Sequence, residues 1–333
     1  MPNHIYNCAK VTLILAFLIL PVQAGLNTAQ ETQPTQQHNS SSTGMTEQWR
    51  SLSVESGHLQ SFPPLTGELD EHIDFTRELI QVKWRPNDPI YLYVIRPKGI
   101  ERPPAILYLY SYPADLDRFR SDTLCGLLIK NGFAAIGFVS ALTGHRYHDR
   151  PLREWFVSEL QESLVTSVHD VQMILNYLAT RGDVDIKRIG MFGEGSGATI
   201  TILASAIDAR IQAIDLFAPW GDWADWLAGS PVVPDEERAS YLKPEFLKRL
   251  ASFDPVEWLP RVKALTIRLQ YMSDQWGTPK AALDRIKSAA PERSQIVSYT
   301  DREAVYRTSA FLFDWIKEQL CPVTSQVPRA SPR

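Results

Sequence analysis

The residues Arg188–Ala198, reading RIGMFGEGSGA, constrain the fold more than any other stretch of this chain. Ile189 to Phe192 make a strand-length run, and glycines at 193, 195 and 197 follow before a helix-forming segment, Thr199 to Ala206. A strand that turns into a helix within three residues brings the two backbones too close for side chains, and glycine is the residue that permits the approach. The chain around this junction is therefore committed to a buried strand with a helix packed back on it.

The rest of the body repeats that unit. Glu78–Trp84 and Ile90–Arg96 flank the turn Arg85-Pro86-Asn87-Asp88-Pro89, which reads as an opening hairpin. Ala105–Tyr110 and Phe133–Val139 are continuous apolar runs, as expected for strands covered on both faces. Between them Ser121–Asn131 reads as a helix stopped by Asn131-Gly132. Val165, Val168, Val171, Ile174, Leu175 and Leu178 recur at helical spacing. Strands follow at Ile211–Phe217, Leu265–Met272 and Ile296–Tyr299, with helices at Thr278–Ser288, capped by Thr278, and Glu303–Leu320. A hairpin followed by alternating strands and helices predicts an α/β fold: a mostly parallel eight-stranded sheet with helices on both faces.

The segment from His169-Asp170-Val171 to Gly197 resembles the α/β-hydrolase superfamily, and more closely its dienelactone-hydrolase and prolyl-oligopeptidase-like branch. The resemblance covers roughly residues 75–320. It implies an α/β-hydrolase fold, a nucleophile elbow at Gly193-Glu194-Gly195-Ser196-Gly197, and an ester or peptide hydrolase lineage. The family's attacking serine stands where this chain has Gly195, and Ser196 comes one residue late. Centring the motif on Ser196 would put Glu194 and Ala198 where the outer glycines belong, so the frame with Gly195 at the centre is preferred.

In this superfamily the histidine follows the last strand, yet His169 is the last histidine of the chain and Thr300-Asp301-Arg302-Glu303-Ala304 occupies the expected loop. A serine without an imidazole to take its proton is a poor nucleophile at neutral pH. Asp274 stands where the family often keeps its carboxylate, with a turn aspartate as the structural alternative. Tyr110-Ser111-Tyr112-Pro113 occupies the oxyanion position, and its backbone N–H groups are candidates to bind an anion or carbonyl.

Several further residues are candidates to line the cleft. His145 and His148, with Asp149, follow the second apolar strand and open on the elbow's face, but their spacing with Glu194 matches no metal signature; solvated loop histidines are the reading, and neither metal nor cofactor is expected. Trp220, Trp223 and Trp276 offer an aromatic wall, with packing of the insertion at about 220–260 as the alternative use of the first two. That insertion is expected to form a small cap. In the implied fold the first and last helices lie side by side, which makes Cys125 and Cys321 a candidate disulfide; one buried and one exposed thiol is the alternative.

The ends of the chain read as addresses and tethers. Lys10, the apolar run Val11–Leu20 and Val22-Gln23-Ala24 predict a signal peptide, residues 1–24, cleaved after Ala24 and sending the chain to the periplasm or outside the cell. The run falls short of the roughly 20 apolar residues of a membrane span. Residues 25–62 read as a polar linker, 63–321 as the folded domain and 322–333 as a flexible tail. With 34 basic and 38 acidic residues and no dense Lys/Arg run, nucleic acid is not an expected partner; a small-molecule or peptide ligand is. Two functions follow: an exported hydrolase relative that has lost Ser-His-Asp catalysis and keeps a binding cleft, or a working hydrolase with Ser196 attacking and Glu194 or His148 as base.

Overall fold

The structure, a computed structural model, describes residues 51–52, 61–85, 88–142, 160–272, 277–308 and 313–321. The expected signal peptide, the tail, most of the linker, and His145, His148, Asp149, Asp274 and Trp276 lie outside the described residues.

Among the described residues nine strands form one sheet in the order β1-β2-β3-β5-β4-β6-β7-β8-β9. They are β1 (Leu65–Glu71), β2 (Phe75–Arg85), β3 (Asp88–Pro97), β4 (Pro104–Leu109), β5 (Ala134–Phe138), β6 (Asp185–Glu194), β7 (Ile211–Phe217), β8 (Thr266–Met272) and β9 (Gln295–Tyr299). The first three run antiparallel and β3 meets β5 antiparallel, while every pairing from β5 to β9 is parallel. The sheet is thus mostly parallel as expected, with one strand more than the eight read from the sequence. The extra strand, β1, sits at an edge with Leu65 and Leu69 exposed, so no buried apolar face marks it in the sequence.

Alternate residues along the strands feed two cores. Ala105, Leu107 and Leu109 of β4 join the larger core, whereas Ile106 and Tyr108 join the smaller one on the other face. Helices α1 (Asp122–Ile129) and α10 (Asp314–Leu320) contribute Cys125, Leu128, Ile316 and Leu320 to the smaller core. Lys317 of α10, buried, donates to Leu127 O of α1 at 2.8 Å. Helices α2 (Leu160–Arg181) and α3 (Ser196–Ile207) cover the opposite face.

The first and last helices therefore share a face, as the fold implied, and both cysteines are free thiols. Cys125 donates to Phe119 O at 3.1 Å, while Cys321 accepts from Arg188 at 3.1 Å. The Trp- and Pro-rich insertion folds into α4 (Trp223–Gly229), α5 (Asp235–Tyr241), α6 (Pro244–Ala251) and α7 (Pro255–Trp258). It does not stand apart as a cap, because Trp226, Leu227, Phe246, Leu250 and Phe253 are part of the larger core. Helices α8 (Lys280–Ala289) and α9 (Arg302–Thr308) follow β8 and β9. Thr278 does not cap α8: Pro279 holds that place, and the Thr278 hydroxyl donates to Pro219 O at 3.1 Å.

Two polar clusters tie distant segments into this frame. Asp215 of β7 is fully buried, accepts from Arg268 Nε at 2.9 Å and from Gln270 Nε2 at 2.7 Å, and Gln270 Oε1 in turn accepts from Tyr299 OH of β9 at 2.5 Å. On α2 the His169 ring lies 3.0 Å from Ser51 O, and Leu52 is buried beside it in the larger core. Ser51 and Leu52 are thus docked on the domain, although they fall within the stretch read as linker. Among the described residues no helix is long and apolar enough to cross a membrane.

Candidate ligand-binding cleft

Strand β6 delivers the chain to the junction at Gly195, which precedes α3 with φ 53° and ψ −117°. Few L-residues adopt that backbone without strain. The flanking glycines are required by contact alone: a Cβ at Gly193 would lie 2.5 Å from Gly197 O, and one at Gly197 would lie 2.0 Å from Leu109 O. The turn is held from both sides, with Gly195 N–H donating to Phe217 O at 2.8 Å and Thr199 N–H to Gly195 O at 3.2 Å. The frame with Gly195 at the centre of the motif is the one the backbone adopts.

Two serines fill the space around this turn. A Cβ at Gly195 would meet Ser111 Oγ at 2.3 Å and Ser111 Cβ at 2.8 Å, so Ser111, on the loop after β4, stands where a side chain at 195 would begin. Ser111 Oγ also accepts from Ser196 N–H at 3.3 Å. Ser196 itself is fully buried, and its Oγ accepts from Tyr112 N–H at 2.9 Å. The backbone N–H after the elbow's central residue and the N–H from the β4 loop are the donors that this architecture aims at an oxyanion. Here each donates to a serine hydroxyl of the chain.

Beside the turn lies a cleft of about 430 Å³, lined chiefly by Ser111, Tyr112, Arg118, Glu194, Gly195 and Trp220, with Pro113, Ala114, Asp115, Val232 and Gly277 completing the wall. Five expected site residues thus meet in one place: Ser111, Tyr112, Glu194, Gly195 and Trp220. Burial pushes the Glu194 carboxyl above the usual glutamate range, and the nearby Arg118 cation opposes that rise. The Arg118 guanidinium lies over the Tyr110 ring, 3.7 Å from its centroid. Tyr110 supports the cleft from beneath that cation rather than lining it, and burial pushes its phenol up to about 12.

Trp223 does not line the cleft. It is buried and packs edge-on to Trp226 with centroids 5.8 Å apart, while Trp226 tilts against Trp220 at 4.6 Å and donates to Gly277 O at 3.1 Å. Packing is therefore the use of Trp223, whereas Trp220 serves both core and cleft. Sequence reading missed Arg118, because Asp115–Arg120 looks like an ordinary charged turn; its position after β4, on the elbow's side, was the available signal.

At the loop after β9, where the superfamily carries its histidine, Asp301 starts α9. Its Oδ1 accepts from Ala304 N–H at 2.8 Å, and its Oδ2 accepts from Thr300 Oγ1 at 3.1 Å. The expected carboxylate Asp274 lies outside the described residues. Among the described residues no group of three or more His, Cys, Asp or Glu is placed to hold a metal ion.

The fold has many solved counterparts. An acetyl xylan esterase from Paenibacillus sp. R4 superimposes with a TM-score of 0.59 at 15% identity, covering 76% of this chain and 88% of that one. A Klebsiella pneumoniae protein described as "Putative Dienelactone Hydrolase" aligns over 77% of this chain and 100% of its own, with a TM-score of 0.51 and 16% identity. In sequence, "Putative hydrolase YtaP" of Bacillus subtilis (strain 168) is 29% identical over 141 residues, which are 37% of this chain and 46% of that protein. The match thus spans under half the length of that relative. No protein-family model matches the chain. The fold is that of the α/β-hydrolases.

Proposed function

We propose that this α/β-hydrolase fold serves as an exported binding protein that holds a small ligand in the cleft beside Gly195 and does not hydrolyse it. The observation that carries the reading is the pair of serine hydroxyls: Ser111 stands in the space of a side chain at 195, and Ser196 takes up the Tyr112 N–H. Acyl transfer needs an activated nucleophile and donors left open for the developing oxyanion. At the elbow there is no side chain to attack, and both donors are engaged. The absence of any histidine after His169 supports the same reading.

The alternative, attack by Ser196, requires its Oγ in the cleft within reach of a base. Its full burial and its bond to Tyr112 speak against that role. Export rests on the signal-like residues 1–24, and sequencing the N-terminus of the mature protein tests it: a start at Gly25 is expected, and a retained Met1 would remove that part of the proposal.

The central test is treatment of the full chain with a fluorophosphonate probe and with nitrophenyl esters. Neither labelling nor turnover is expected, and Ser196→Ala should behave as the parent. Specific labelling that disappears in Ser196→Ala would overturn the proposal.

A further inference from the structure

The cleft is electrostatically unusual in one respect. Arg118 makes no ion pair with any described residue, although its guanidinium is half-buried between the Tyr110 ring and the cleft. Two carboxyls, Glu194 and the exposed Asp115, share the cleft wall with it, and neither lies within ion-pair distance of Arg118. A half-buried cation with no carboxylate partner among the described residues leaves part of its hydrogen-bonding fork unused, and a planar two-oxygen anion fits that fork best. The same cleft is lined by Tyr112, Trp220 and Val232, which offer apolar surface.

We infer that the cleft takes a small organic monocarboxylate, its carboxylate on Arg118 and its apolar remainder against Tyr112, Trp220 and Val232. This rests on the reading of the cleft as a binding site and names the ligand class. A phosphate dianion fits less well: among the described residues a single guanidinium lines the cleft, Glu194 and Asp115 share its wall, and the Ser196 and Thr199 N–H groups at the start of α3 are committed to Ser111 Oγ and Gly195 O. An amine is disfavoured by the adjacent cation.

Calorimetric titration of the full chain with hexanoate and benzoate, against hexanamide, benzamide and hexylamine, tests the inference. Each carboxylate should bind at least about tenfold more tightly than its amide, the worth of one charge-assisted hydrogen bond. Arg118→Gln should erase that difference, and Arg118→Lys should keep part of it through the remaining point charge. The comparison of ligands on the parent chain stands even if a variant folds poorly. Equal binding of acid and amide, or preference for hexylamine, would overturn the carboxylate assignment while leaving a binding cleft in place. Failure of every probe to bind would overturn the assignment as well. Ester turnover abolished by Ser196→Ala would instead defeat the binding reading on which the inference rests.

Discussion

Gly195→Ser puts a serine at the centre of the turn, and the geometry gives it a definite cost. At φ 53° and ψ −117° a residue with a Cβ is strained by about 1–3 kcal/mol. The new Cβ would also lie 2.3 Å from Ser111 Oγ, so Ser111 must leave its place. Its departure strips Ser196 N–H of its acceptor, and a buried unsatisfied donor costs about 1–3 kcal/mol. The single variant should therefore lose about 2–6 kcal/mol of stability. In a Ser111→Gly background the acceptor is already gone and the collision is absent, so the same change should cost only the backbone strain. The double-mutant cycle, read from urea unfolding of all four proteins, should then show a coupling of about 1–3 kcal/mol. Ser111→Ala is the wrong partner, since the Ser111 Cβ itself lies 2.8 Å from the added atom. Additivity to within about 0.5 kcal/mol would refute the idea that Ser111 occupies the nucleophile's space. None of the four proteins should turn over a nitrophenyl ester, because no histidine follows His169.

Three further outcomes are expected. Burial lowers the Lys317 ammonium from 10.5 to about 8, so the unfolded chain binds the extra proton between those values and wild-type stability should rise with pH across that window. Relative to Lys317→Met, the gain should approach about 3 kcal/mol, and parallel stability curves for the two proteins from pH 7 to 11 would contradict it. Arg268→Met leaves Asp215 buried beside Gln270 alone and should cost about 3–5 kcal/mol by denaturant unfolding, whereas Asp215→Leu with Arg268→Met should recover much of that loss; a single variant as stable as the parent would show the pair to be dispensable. Leu52→Ala should cost about 2–3 kcal/mol because Leu52 is buried in the larger core, and an unchanged urea midpoint would return the residue to the linker.

How far the sequence could be read depended on whether a residue's role was local. The apolar runs of β4 and β5 lie where expected because a strand covered on both faces reads as a near-continuous apolar run. The three-glycine turn was legible for the same reason: backbones in contact exclude side chains whatever surrounds them. β1 escaped notice because an exposed edge strand needs no apolar face, and the docked pair Ser51-Leu52 because one buried leucine carries no period. Asp301 reads in hindsight as a helix cap, three residues before the N–H that it accepts.

The sequence by itself determined the architecture and the missing groups, since Gly195 and the lack of a late histidine are facts of composition and order. The tertiary structure alone decided which side chains stand around the turn at Gly195. Ser111 and Ser196 are 85 residues apart in the chain, and only the parallel pairing of β4 with β6 brings their loops together at the same end of the sheet. The same pairing sets Arg118 beside Glu194. Hydroxyl, amide and guanidinium groups act over a few ångströms, so their roles appear only when the strands that carry them are laid side by side.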